Sequence, residues 1–545
     1  MNNTWKRLAA LVLTAVMVLG LAVSAGATDG DEAAAAAITD TTLTITGVAK
    51  DDTVKAYRLI GYSGVNVYND YEFEPNFDGY VTTYKGSATG TNEAFLETSD
   101  ANALKDLLAS YAMSGKLPAA ATYTATAGEG GTATFQLAPG YYLFVGQTTA
   151  NNSKLYQVMS AFVQVKQGNI VVYGGGNLLT ADGGVYTLAA KSENGPTIDK
   201  KVYDSRVQNA DDLGSVWKTA AAAAVGDTVE FYVKVELPAY GKGVHKLNLT
   251  VEDTMTGLSY VKNSVELYKD EIGGILSNKI TTEGAVTATP KENGVAFALN
   301  YDKLTPDHAE THVYIRYQAK VTDEAINANN CATNSAVLKY KADNDTEHET
   351  DAVSTKVYNY AYYVTKVDNE NRSLPGAKFT LYKTYADGTW GEPVGLVKEN
   401  DVPGDYYRLA QDGDANTVTE IEAPFTVKGL NLGEFYMKET TVPSGFYTPK
   451  SGVKVVLSGN RGANSELDGS LIGCNVELLD NRDVAMAAGV INATSKNQYD
   501  VTIRNNPTPI LPTTGGPGTV LFTLVGVALM VLGAWLFIFR RKKHA

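Results

Sequence analysis

The stretch Tyr186–Lys201, "YTLAAKSENGPTIDKK", holds three lysines in eleven residues: Lys191, Lys200 and Lys201, with Gly195 and Pro196 among them. An exposed lysine is protonated, inert, and keeps a linker soluble. A lysine that loses hydration has a lowered pKa, and its neutral amine becomes a nucleophile. The same sixteen residues can therefore be a solvated junction or a place where amide bonds are made.

Other stretches suggest different chemistry and fit it less well. "HAETH" sets His308 and His312 four residues apart, but Ala309 stands where a zinc-protease helix needs glutamate. The segment then runs into an alternating, strand-like pattern, so turn residues are expected. "DNDTEHETD" and "DGDAN" are acidic, yet neither keeps the spacing of a calcium loop with its terminal glutamate, and both read as hairpin turns. Gly174–Gly176 follow a strand-like run with no phosphate-loop lysine behind them. Cys331 and Cys474 are the only cysteines; they fall in different segments and are expected to be free and buried. No enzyme constellation, metal or cofactor is expected.

The elements that must position those lysines are read from composition and pattern. The chain has 545 residues, about three or four domains' worth. Its net charge of -14 argues against a nucleic-acid partner, which needs a basic face. Fifty-one glycines, 33 tyrosines and short alternating apolar runs indicate a mainly β protein. A first segment, 28–192, alternates in "TLTITGVAKDDTVKAYRLIGYSGV" and again in "ATFQLAPGYYLFVGQ". Between them Leu104, Leu107, Leu108 and Tyr111 fall at helical spacing. A second segment, 193–356, contains "GDTVEFYVKVELP", "HVYIRYQAKVT" and "ATNSAVLKY". A third, 357–507, runs from "YYVTKVDNENRSLPGAKFTLYK" to "YDVTIRNNP".

The two ends give an address. Residues 1–27 read as a secretory signal peptide: Lys6 and Arg7, an apolar run from Leu8 to Val23, then Ala25 and Ala27 at the cleavage positions. Residues 508–545 carry Leu511-Pro512-Thr513-Thr514-Gly515, an uncharged apolar stretch Thr519–Phe539, and the basic cluster Arg540–Lys543. The stretch is long enough for one membrane crossing, and the basic cluster holds its end in the cytoplasm. This tripartite arrangement resembles the sorting signal of Gram-positive surface proteins. The resemblance implies cleavage by a sortase between Thr514 and Gly515, transfer of the Thr514 carboxyl to an amine, and a mature chain of about Thr28–Thr514 on the cell wall.

The body carries a second resemblance. "TKVDNENRSLPGAKFTLY", "GEFYMKETTVPSGF" and "VTIRN" are similar to the opening, glutamate-box and closing strands of a collagen-adhesin B-type domain. "PTIDKKV", "VEDTMTGLSY" and "TNSAVLKY" resemble the middle domain of sortase-assembled pilins. Over the first segment only general strand patterns and "PGYYLF" match. The implied fold is a set of tandem immunoglobulin-like (Cna-type) β-sandwiches in an elongated rod, with an N-terminal signal helix and a C-terminal transmembrane helix.

The resemblance also implies covalent chemistry. In the third domain it assigns Lys366, Asn505 and Glu439 to a self-formed Lys–Asn isopeptide bond, with Asn506 as the alternative amide. In the second it assigns Lys200, Asn334 and Asp253. Lys201 competes with Lys200, because adjacent strand residues face opposite sides, and Glu266 is the second choice of acid. No complete trio is read in the first domain. A pilin shaft further needs an acceptor lysine, and Lys191 is the candidate, with Tyr186 and Leu188 at the family's apolar offsets. Ala189-Ala190 stands where tyrosine-proline is usual. The expectation is a secreted structural fimbrial shaft subunit, supporting adhesion and no enzyme itself. Its expected partners are pilin-specific and housekeeping sortases, copies of itself, minor pilins and peptidoglycan. The alternative is a monomeric wall-anchored adhesin.

Overall fold

The computed structural model of the chain describes residues 40–62, 71–74, 77, 110–111, 116–149, 154–166, 169–207, 216–240, 247–307, 309–327, 330–342, 347–399, 406–449, 452–462, 465–479, 485–509 and 517–541. The signal peptide 1–27, the motif Leu511–Gly515, His308 and three residues of the helical pattern (Leu104, Leu107 and Leu108) lie outside them.

The described body is built of strands, because the period-2 patterns find two surfaces to bury against. Thr41–Thr46 alternates buried and half-buried residues, as does Gln498–Asn505. In the first unit Thr41–Thr46 lies between Thr132–Leu137, antiparallel, and Val185–Ala189, parallel. Leu43, Ile45 and Phe135 of this small sheet share a core with Tyr142, Phe144 and Val163 of a seven-stranded sheet. Tyr111 is helical and buried edge-on against Phe77 at 5.1 Å.

The second unit pairs two seven-stranded sheets. One contains Thr197–Tyr203, Thr228–Leu237 and Thr311–Val321; the other contains Leu247–Thr256, Cys331–Ala342 and Val353–Tyr358. Phe231, Ile315 and Tyr317 of the first meet Val251, Phe297 and Leu338 of the second in one core. In the third unit Tyr360–Val367, the opening strand, runs parallel to the closing strand Gln498–Asn505. It lies antiparallel to Phe425–Leu430 on its other side. Ala485–Ile491 forms the outer edge of that sheet, and a five-stranded sheet centred on Gly433–Thr441 covers the core.

Polar contacts tie the units together. The Thr219 N–H donates to the Glu466 carboxylate at 3.0 Å, and Arg461 Nη2 stands 2.7 Å from the buried carboxylate of Asp204. Thr148 Oγ1 and His348 Nε2 are 2.6 Å apart between the first and second units. Pro517–Arg541 is a helix, and its Gly518–Arg540 stretch, of mean hydropathy 2.5, is long and apolar enough to cross a membrane.

Candidate functional site

Strand alternation turns Lys200 and Val202 into the core of the second unit, and Lys201 outward to within 3.7 Å of Asp199. Lys200, Asp253 and Asn334 are 1%, 2% and 0% exposed. Lys200 Nζ donates to Asp253 Oδ2 and to the Tyr317 hydroxyl. The Tyr317 hydroxyl donates to the same carboxylate oxygen at 2.6 Å and accepts from Asn334 Nδ2 at 3.0 Å. One phenol oxygen thus touches the amine, the acid and the amide together. Asn334 Oδ1 is buried with no hydrogen-bond partner, a costly arrangement for a carbonyl. Rings of Phe231 and Tyr317 lie 5.6 and 5.1 Å from the Lys200 nitrogen.

Burial sets the protonation. Desolvation pushes the Lys200 amine down, against the pull of Asp253, and pushes the Asp253 carboxyl up, against the pull of Lys200. Both shifts favour the neutral forms, a free amine beside a carboxylic acid. Glu266 is placed elsewhere, bonded to Lys279 and Arg316 at 2.6 Å each. The Lys279 bond holds its carboxyl down to about 2, so it carries no proton to give at neutral pH.

The third unit repeats the set on its terminal strands. Lys366 lies opposite Ile503 in the parallel pair, and Asn505 follows two residues on, on the same inward side. Lys366 Nζ is 3.8 Å from Glu439 Oε2 and makes no hydrogen bond. Asn505 Nδ2 donates to both oxygens of Glu439 at 3.1 and 3.0 Å, while Asn505 Oδ1 is left without a partner. Burial pushes Lys366 down to about 8 and raises Glu439. Asn505 is fully buried, whereas Asn506 is half-buried and its backbone carbonyl accepts the Tyr447 N–H.

Lys191 is exposed, just past the strand Val185–Ala189. Tyr186 and Leu188 are anchored on the first core, and the Lys191 carbonyl accepts the Gln157 N–H at 2.9 Å. The pieces with other apparent chemistry are structural. His312 sits in a strand opposite Glu236, and Asp414 of "DGDAN" pairs with Arg408. Cys331 and Cys474 are free, but half-buried rather than buried: Cys331 is the first residue of its strand, and Cys474 lies between strands and is only partly covered by the third core. Tyr317 is the residue that sequence reading misses. Its only signal is a tyrosine on the inward side of "HVYIRYQAKVT", whose hydroxyl must find a partner in the core.

Comparison with known proteins bears on both the body and the tail. Residues 361–469 match SpaA, described as a prealbumin-like fold domain, and residues 505–544 match the LPXTG cell wall anchor motif. The chain therefore carries a prealbumin-like domain ahead of a cell-wall anchor motif. It is a cell-wall-anchored surface protein. The chain is 26% identical over 469 residues to the trypsin-resistant surface T6 protein of Streptococcus pyogenes serotype M6, covering 76% of its own length and 81% of that protein. Among solved structures it is similar to the T6 backbone pilin of the same serotype, at 19% identity and a TM-score of 0.44, with 83% of each chain covered. It is also similar to the Corynebacterium diphtheriae major pilin SpaA, at 15% identity and a TM-score of 0.43, with 86% of this chain and 100% of that structure covered.

Proposed function

We propose that this protein is a structural shaft subunit that locks its second and third domains with Lys200–Asn334 and Lys366–Asn505 bonds. Sortases then join it, through Thr514, to Lys191 of the next copy. The observation that carries this reading is the pair of buried lysine–acid–asparagine sets, built on strands that come together only in the folded domain. In each, the neutral lysine amine attacks the asparagine Cγ. The carboxylic acid polarises the amide oxygen and relays a proton to the departing nitrogen. One C–N bond forms, one breaks, and ammonia leaves. The reaction happens once per site, so the protein is its own substrate and turns nothing over.

The mature chain is expected to weigh less than its sequence by two ammonia molecules, measured by intact-mass spectrometry. A full-weight protein removes the proposal. Tyr317→Phe takes away a hydrogen bond shared by the amine and the amide, worth about 1 kcal/mol. The second-domain crosslink should then form roughly fivefold to tenfold more slowly after refolding, yet still reach completion. A bond that never forms would make Tyr317 essential instead.

Polymerisation is tested separately. Immunoblots of wall extracts should show a high-molecular-weight ladder that Lys191→Ala abolishes. A single band in the native strain supports the monomeric adhesin, a reading favoured by one feature, Ala189-Ala190 before the acceptor. Pilin-specific and housekeeping sortases, further copies of the chain, minor pilins and peptidoglycan are the partners this function requires.

A further inference from the structure

The edge of a β-sheet is a row of unpaired N–H and C=O groups, normally guarded by charge, proline or short length. Among the described residues six edge strands have five or more residues. Three are guarded: Ile275–Ile280 by Lys279, Val286–Lys291 by Pro290 and Lys291, and Leu467–Leu471 by Asp468. Thr132–Leu137, Val185–Ala189 and Ala485–Ile491 carry no charge and no proline. The last reads "AMAAGVI", and its Met486 and Val490 are 54% and 64% exposed. In a secreted chain with 106 charged residues, such an edge invites another strand.

We propose that Ala485–Ile491 of one copy pairs antiparallel with Val185–Ala189 of the next, so that the third-domain sheet of one subunit continues into the first-domain sheet of its neighbour. This rests on the Thr514–Lys191 linkage proposed above. The direction follows from the register. Ala485 lies opposite Asn505, so the edge strand begins where the chain departs for Thr514. Lys191 stands two residues beyond Ala189, at the end of the other strand. The start of one strand and the end of the other are therefore tied to the same covalent bond, which is the antiparallel arrangement.

The tether is the right length. The backbone is held on Gly445–Tyr447 as far as Thr508, so six steps lead on to Thr514, a reach of up to about 20 Å, and the five-residue partner strand is about 17 Å long. A short tether of this kind holds the two edges at an effective concentration in the millimolar range. The inner faces also match: Tyr186 and Leu188 cover the first core, while Ala487 and Ile491 cover the third. Thr132–Leu137, the remaining unguarded edge, lies on the far side of Thr41–Thr46 from Val185–Ala189 and so away from the tether.

Hydrogen exchange read by mass spectrometry tests the pairing on mature chains joined by the sortase, with the unjoined chain as reference. Linkage mapped to Lys191, with amide exchange in both 185–189 and 485–491 slowed about tenfold or more, supports it. Val490→Lys should remove that protection while leaving the covalent link intact. Linkage at Lys191 with unchanged exchange in both strands overturns the pairing and leaves the shaft reading standing. Linkage to another lysine, or none, overturns the shaft reading and the pairing with it.

Discussion

Asp253→Ala is expected to leave the second domain uncrosslinked and to cost it roughly 5 kcal/mol or more. Two losses combine. The neutral Lys200 amine remains fully buried with its acid partner gone, and a buried polar group that loses its hydrogen-bond partner costs about 1–3 kcal/mol. The covalent tie between Lys200 and Asn334 is also absent, and a crosslink closing a loop of this size is worth about 5 kcal/mol by analogy with a disulfide. Asp253→Asn separates the two. The amide keeps the shape and can still hydrogen-bond Tyr317, but it holds no exchangeable acid proton. It should lose the crosslink while keeping most of the packing. Intact mass and thermal unfolding read both variants. An alanine variant that still sheds the second-domain ammonia would show that Asp253 is not the acid.

The third domain supplies the second large effect, in its dependence on pH. With the bond blocked by Asn505→Ala, Lys366 stays a titrating amine whose folded pKa, about 8, lies below its usual 10.5. Between those values the unfolded chain binds the proton and the folded domain does not, so stability rises with pH across that window. From pH 8 to pH 9, below the range of ordinary tyrosine ionisation, the gain should be about 1 kcal/mol. Glu439 has the opposite sign. Its folded pKa is raised, so its contribution is present at low pH and is lost as pH rises through that raised value. Denaturant unfolding at pH 8, 8.5 and 9 measures the slope, with Lys366→Met as the control that flattens it. A flat profile in the Asn505→Ala protein would mean that the amine is not desolvated in the folded domain.

Much of this molecule is legible in its sequence because its decisive patterns are local. A period-2 strand such as "YDVTIRNN" fixes which of two neighbouring residues turns inward once one face is known to be buried. Alternation therefore leaves Lys200 or Lys201, and Asn505 or Asn506, as the open choice. Packing resolves it, burying Lys200 and Asn505. The mainly β architecture and the apolar tail helix follow from the same local patterns. Tyr317 is not local. It comes from a strand 64 residues beyond Asp253 and reaches both site residues only because its sheet faces theirs across the core. Glu266 shows the converse: an acid at plausible spacing is removed from consideration by Lys279 and Arg316, partners that no motif predicts. The Thr148–His348 contact, with 200 residues between its ends, is equally invisible without the fold.

The positions of the two lysine–asparagine sets determine how the protein would respond to being pulled. In the proposed shaft, load would enter at Thr514 and leave at Lys191. With both bonds in place it passes along 505–514, crosses to Lys366, follows the chain back through 334–366, crosses to Lys200, and ends along 191–200. The loops 201–333 and 367–504, which hold most of the second and third units, lie off that line. Their hydrogen-bonded sheets would bear almost no tension. A shaft wired in this way would carry load along the sheet strands of 334–366 and would stretch chiefly in the two short segments 191–200 and 505–514.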